Sequence, residues 1–157
     1  MGKRRLRIYL DTSVFGGVFE ERFAEASKRV FDLVRRGAIG LVLSATVRDE
    51  LGGGPPEVQA LYREMLGTAD VIGVPREAFD LQAAYIAHGV VTDRWASDAL
   101  HVATATVSGC DMIVSWNFRH IVNYKRIPLY NAVNVLSGYS EIAIYSPLEV
   151  LDDEEDL

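Results

Sequence analysis

Four side chains in this sequence carry oxygens suited to one kind of chemistry: Asp11, Glu50, Asp98 and Asn117. Asp11 comes directly after the apolar "RIYL", and Glu50 follows "AIGLVLS" by one or two helical turns. Asp98 lies near the start of the strongest helical pattern, and Asn117 ends "IVSWN". Three bare carboxylates in one place repel one another. A hard divalent cation relieves that repulsion and prefers oxygen ligands, and magnesium keeps enough of its waters that two or three carboxylates suffice. A cation held there activates water and stabilises charge on a phosphoryl oxygen. Asn117 adds an amide oxygen without charge. The hydroxyls of Thr12, Ser13 and Ser115 can orient the acids or a water. Arg94, Arg119 and Lys125 are candidate phosphate contacts.

Each of these residues also has a plain structural role. Asp11 can cap a helix entered through Thr12 and Ser13, and Glu50 can be a solvated helix acid. Asp98 suits a first helical turn, where the helix dipole favours negative charge. Asn117 suits a turn after a strand. His101 and His120 have no tight two-histidine spacing and read as structural, and His88 before Gly89 suits a helix end. Trp95 and Trp116 could stack on bases if exposed, but core packing or a subunit contact is the stronger reading for both. Chemistry follows only if the fold brings the acids together.

The elements that must do so alternate in type. Residues 6–10, "AIGLVLS", "DVIGV", "DMIVSW" and "EIAIYSPLEVL" suit strands, with Pro147 limiting the last. Between them run helical patterns. In the first, Phe23, Ser27, Val30, Phe31 and Val34 recur at helical spacing before a stop at Gly37. Ser44 can cap "ATVRDEL", and Pro56 can start "EVQALYREMLGTA" after the break "GGGPP". "REAFDLQAAYIAHG" follows Pro75, and Ala99, Val102, Ala103, Thr106 and Val107 line one side of a later helix. "RIPLYNAVNVLSGY" holds a short final helix. Gly16 and Gly17 mark a place of backbone freedom or close approach. Strands that are apolar throughout and alternate with helices predict an α/β fold, a mainly parallel sheet covered on both faces. In such sheets ligands bind beyond the carboxyl ends of the strands, where Asp11 and Asn117 fall.

Length and composition fit one domain. The chain has 157 residues, 49% apolar and 24% charged, with no linker or repeat. Its one cysteine, Cys110, excludes an internal disulfide and argues against a cysteine zinc site, which suits a cytoplasmic protein. No apolar run is long enough to cross a bilayer, so no membrane association is expected. The opening "MGKRRLRIYL" reads as a solvated arm rather than a signal peptide. Net charge is −6, and five of the acids lie in the last seven residues, "LDDEEDL", leaving −1 for the rest. The sequence thus divides into a body, 6–150, and an acidic, solvated tail, 151–157. A nearly neutral body argues against broad backbone-driven affinity for nucleic acid, but not against a nuclease. An aspartyl-nucleophile phosphohydrolase is disfavoured because "DTS" lacks the second acid two positions on. The glycine pairs do not form a dinucleotide-binding turn.

Taken in order, "YLDTSVF", "LSATVRDEL", "SDALHVATA" and "IVSWNFRHIVN" resemble the PIN-domain family across roughly residues 6–150, and most of all the VapC-type toxins. The resemblance implies a three-layer α/β/α domain and hydrolysis of RNA dependent on Mg2+ or Mn2+, with the break at the 3′-oxygen leaving a 5′-phosphate. It places Asp11, Glu50 and Asp98 in the three acidic motifs. It also implies a homodimer and a small antitoxin partner. The departure is Asn117, where many members carry a fourth acid. That difference leaves a second reading in view: a catalytically weak or inactive PIN-fold protein that binds RNA or protein.

Overall fold

A computed structural model describes residues 4–150; the acidic segment 151–157 and the first three residues lie outside the described residues. Among the described residues five strands form one sheet: β1 (Arg7–Leu10), β2 (Gly40–Ser44), β3 (Asp70–Ile72), β4 (Met112–Val114) and β5 (Ala143–Tyr145). They lie in the order β3-β2-β1-β4-β5, and every pairing is parallel. Tyr9 of the central strand registers with Val42 on one side and Ile113 on the other. The chain therefore builds outward from β1 to β3, then returns to the other side of β1 and builds outward again. The gap between the ends of β1 and β4 is the switch point of the sheet, the usual ligand crevice of such folds.

The helices are α1 (Thr12–Gly17), α2 (Ala24–Arg35), α3 (Ala45–Leu51), α4 (Pro56–Leu66), α5 (Arg76–Ala87), α6 (Ala96–Val107) and α7 (Arg126–Leu136), with a short 3-10 turn at Asp93–Trp95. They form two layers, α1 packing on α2, α3 and α4, and α5 packing on α6 and α7. The result is the expected α/β/α sandwich. In the first layer Phe15 meets Phe31 and Tyr62 at ring separations of 5.0 and 6.0 Å. In the second, Tyr85 and Tyr130 meet edge to face at 4.8 Å. These offset geometries suit the aromatic quadrupole.

Local signals explain most boundaries. Ser44 Oγ accepts from Val47 N at 3.3 Å and starts α3. Gly37, at φ 73°, ends the turn after α2, where its N–H reaches Val34 O and the Ala38 N–H reaches Leu33 O. Two expectations are corrected. Gly16 has open space where a Cβ would sit, whereas a Cβ on Gly17 would lie 2.6 Å from Ser27 Oγ and 2.7 Å from Trp116 Nε1. Only Gly17 is a close approach. And α6 buries more than one stripe: Ala99, His101, Val102, Ala103, Thr104, Ala105 and Thr106 are all covered, while Val107 is only partly buried. The helix packs against α5 as well as β4, so several of its faces are enclosed.

Candidate active site

Asp11 stands at the switch point. Its backbone is extended (φ −82°, ψ 174°), so the alternation of β1 continues through it and puts its side chain on the same face as that of Tyr9. Its own N–H donates to Val114 O at 3.3 Å, tying it to the end of β4. The residue occupies the cap position of α1, yet its carboxylate makes no capping bond. Instead it accepts from Ser13 Oγ at 2.6 Å and from Ser115 Oγ at 2.9 Å. Both serines are held in turn, Ser13 Oγ accepting from Trp116 N and Ser115 Oγ from Asn117 N. The carboxylate is buried, 4% exposed. Burial pushes its carboxyl pKa up; the His101 charge and the two serine bonds oppose this, and the Glu50 charge reinforces it.

Glu50, on α3, is the solvent-facing acid. Its Oε1 accepts from Thr12 Oγ1 at 2.7 Å and pairs with His101 Nε2 at 2.5 Å, and its Oε2 accepts from Ser97 Oγ at 3.1 Å. Partial burial raises its pKa, but the His101 bond and charge, with the Thr12 and Ser97 bonds, outweigh burial and hold the carboxyl below its ordinary value. The imidazole of His101 is buried against the site, its Nδ1 lying 2.7 Å from the Tyr9 hydroxyl, which lies 2.7 Å from Ser44 Oγ. The chain of bonds is complete for either charge of the ring. When neutral, the ring donates from Nε2 to Glu50 and accepts from Tyr9; when charged, it donates at both ends and Tyr9 donates onward to Ser44. Burial depresses the His101 pKa, but the Glu50 bond and the charges of Asp11, Glu50 and Asp98 turn the net shift upward. The charges of Asp11, Glu50 and Asp98 thus all act on one imidazole, which only Glu50 bonds.

Asp98, in the first turn of α6, pairs through Oδ2 with His120 Nδ1 at 3.1 Å. His120 is stacked on Trp95 at 4.0 Å between ring centroids, and the Arg94 guanidinium covers Trp95 at 5.0 Å. Burial lowers the His120 pKa, and the Arg126 and Arg119 charges add to that, against the charge of Asp98 and the bond to it. Asn117 stands beside Ser115 but turns its Oδ1 back onto the chain, accepting from Arg119 N at 3.2 Å and His120 N at 2.9 Å. It shapes the loop that presents His120 to Asp98. Arg119 and Lys125 are exposed on that loop, Lys125 Nζ lying 5.8 Å above the Tyr124 ring. Trp116 belongs to the core: it stacks on Phe23 at 4.2 Å and donates to Ser27 Oγ at 2.8 Å.

No family model matches the sequence, and no curated protein matches it. Solved structures do. VapBC2 from Rickettsia felis, bound to a DNA fragment from its promoter, is 11% identical with a TM-score of 0.58, over 90% of this chain and 98% of that one. FitAcB from Neisseria gonorrhoeae is 16% identical with a TM-score of 0.58 over the same shares, 90% and 98%. VapC20 from Mycobacterium tuberculosis, a sarcin-ricin loop cleaving toxin, is 16% identical with a TM-score of 0.54, over 87% of this chain and 98% of that one. The fold is PIN-like.

In this PIN-like domain Asp11 is held by Ser13 and Ser115 and Glu50 by Thr12, hydroxyls that the sequence offered as orienting groups, while other partners of the acids stood outside that set. They are Ser97 and His101 at Glu50, His120 at Asp98, and Tyr9 behind His101. Three had a legible signal. Tyr9 precedes Asp11 by two residues on a strand, and Ser97, Asp98 and His101 fall within one turn of a helix, on neighbouring faces. His120 had none, since only the loop after Asn117 brings it to Asp98.

The donor chemistry suits a hard cation. Asp11 is a buried carboxylate with neutral hydroxyls on both oxygens, and no lysine or arginine pairs with it among the described residues. Among those residues no three His, Cys, Asp or Glu side chains form a ready-made ligand cage. A magnesium or manganese ion bound by these carboxylates would keep much of its water shell.

Proposed function

We propose that this PIN-like chain hydrolyses RNA phosphodiester bonds with magnesium or manganese, as the toxin of a toxin–antitoxin pair. The observation that carries the reading is Asp11: a buried carboxylate without an arginine or lysine partner among the described residues, at the sheet's switch point, with the Glu50 charge acting on it and both charges acting on His101. Such an arrangement disfavours its own charge unless a cation or a reacting group uses it. Asp11, Asp98 and Glu50 would hold the ion or its waters. The ion would supply an activated water and offset charge on the phosphoryl oxygens. The chain's own contribution is orientation: Ser13 and Ser115 aim Asp11, Thr12, Ser97 and His101 aim Glu50, and His120 aims Asp98. Ser115 and the backbone of Asn117 lock the end of β4 to that of β1.

An antitoxin partner is supported by the complexes VapBC2 and FitAB, which share the fold. A homodimer is supported by the exposed apolar side chains Leu129, Val135 and Leu136 on α7. Among the described residues no helix is long and apolar enough to cross a membrane. One observation favours the second reading, a binding module without turnover: Asn117 spends its amide oxygen on the backbone N–H groups of Arg119 and His120.

The deciding experiment is cleavage of a structured-RNA panel by the purified protein in magnesium, manganese and EDTA, beside Asp98→Asn purified identically. Metal-dependent cutting that Asp98→Asn lacks is the expected result. Cutting retained in that variant overturns the site, and no cutting together with no magnesium binding in a titration selects the binding module.

A further inference from the structure

The loop after β4 leads into a further cation, Arg126. Arg126 opens α7. Its backbone N–H is fixed by Asn123, bonding Asn123 O at 2.9 Å and Asn123 Oδ1 at 3.3 Å. One helical turn on, at i+4 and so on the same face, the Tyr130 hydroxyl donates to His120 O at 2.7 Å. His120 in turn pairs with Asp98. Arg126 therefore sits on the face of α7 that packs toward the Asp98 corner. The electrostatics agree, because the charges of both Arg126 and Asp98 act on His120 and on Tyr130.

What singles Arg126 out is its bonding. Its Nε is buried, and it is the only buried side-chain nitrogen or oxygen among the described residues without a hydrogen-bond partner. No carboxylate among those residues lies within ion-pair distance of it; Asp98 is taken by His120. Buried donors are almost always satisfied, so an orphan calls for an explanation. The other arginines that pair do so with surface acids, as Arg7 does with Asp70 and Arg35 with Glu64. Arg119 and Lys125 are exposed and free to move, which suits general attraction of a polyanion but not the aiming of one group.

We infer that Arg126 binds a phosphate of the RNA substrate beside Asp98 through the N–H groups of its guanidinium. The inference rests on the nuclease reading above and adds a substrate-binding residue to it. The chemistry requires such a group. A phosphodiester approaching Asp11, Glu50 and Asp98 meets three carboxylates. An arginine there offsets that repulsion and presents two parallel N–H bonds to two phosphate oxygens, which a lysine cannot do.

The test uses the full chain, with a fluorescent single-stranded RNA oligonucleotide in EDTA for binding, RNA cleavage in magnesium, and thermal unfolding. Arg126→Met should weaken RNA binding on the order of 10- to 100-fold, the worth of a charged hydrogen bond. It should also reduce the salt slope of log K by about 0.7, one phosphate contact on a single strand. Arg126→Lys should fall between, keeping the charge slope but losing the fork. Because the orphan nitrogen contributes no bond to the fold, Arg126→Met should unfold no earlier than the native chain, which a structural arginine would not allow. Native binding, native salt slope and native KM in Arg126→Met, with Asp98→Asn inactive, overturn the inference and leave the nuclease reading standing. If Arg126→Met unfolds early, Arg126→Lys carries the test, and an unchanged KM in it overturns the bidentate role. Failure of the native chain to bind or cut any RNA removes the nuclease reading, and this inference with it.

Discussion

Replacing Asp11 by Asn tests the central claim that this carboxylate is held charged at the expense of stability. Two effects oppose each other. The serine bonds, at 2.6 and 2.9 Å, favour the charged form, and bonds to charged groups are worth about 1.5–3 kcal/mol each. Desolvating a carboxylate costs several kcal/mol even after relaxation. The upward pKa shift gives the winner: burial outweighs the bonds, and the Glu50 charge adds to it. The sign against pH follows. The folded chain holds the Asp11 proton more tightly than the unfolded chain, whose value is near 3.8. The stability this confers is complete below that value and is lost as pH rises through the folded pKa. Asn keeps the shape without the charge. Near neutral pH, in EDTA, Asp11→Asn should therefore be more stable by about 1–2 kcal/mol, the usual scale when a functional strain is removed. At about 2–4 °C per kcal/mol for a chain of this size, its melting temperature should rise by about 2–8 °C. That advantage should shrink as pH falls toward 3.8. Saturating magnesium should then stabilise the native chain but not the variant, by about 2.7 kcal/mol at one hundred times Kd. Circular dichroism melts of both proteins, with EDTA and with magnesium, read all of this. A variant that melts below the native protein in EDTA near neutral pH refutes the reasoning, because the serine bonds would then outweigh the buried charge.

Other outcomes test the surrounding structure. Tyr9→Phe removes the hydroxyl that joins Ser44 to His101; it should destabilise by about 1–3 kcal/mol in urea melts and slow cleavage by loosening Glu50, whereas a native midpoint would show that the relay is not needed. Gly17→Ala forces a Cβ to 2.6 Å from Ser27 Oγ and against the Trp116 indole. It should cost about 1–3 kcal/mol, while Gly16→Ala, with open space, should be neutral or slightly stabilising; equal melting of the two variants would contradict the packing described. Asn117→Asp keeps an oxygen acceptor for the Arg119 and His120 N–H groups. It should fold normally and tighten magnesium binding several-fold in a calorimetric titration, and unchanged affinity would mean that position 117 serves only the loop.

Much of this was legible in the sequence, for local reasons. Ser44 before "ATVRDEL" announces the capped start of α3, and Gly37 after "LVRR" announces the stop of α2, because capping and left-handed turns depend on a few neighbouring atoms. "IYL" and "MIV" are apolar throughout, which requires cover on both faces and so a parallel sheet between helices. Asp11 was legible as an acid at a strand's end, where open sheets bind ligands. What Asp11 does there was not legible. Its local surroundings suit a helix cap equally well, and only Ser115, arriving from β4, pulls the carboxylate away from that role.

The sequence by itself therefore determined the types and order of the elements, the acids at their ends and the near-neutral charge of the body. The tertiary structure decided which residues answer those acids. His101 lies on α6 and His120 in the turn after β4, and nothing local distinguishes a histidine that fills a core from one that holds a carboxylate. The same is true of Asn117, whose amide turns to the backbone, and of Arg126, whose isolation appears only when every possible partner has been placed around it. Periodicity and capping act over three or four residues; the balance of burial against charge depends on everything within a few ångströms, and only the fold determines what that is.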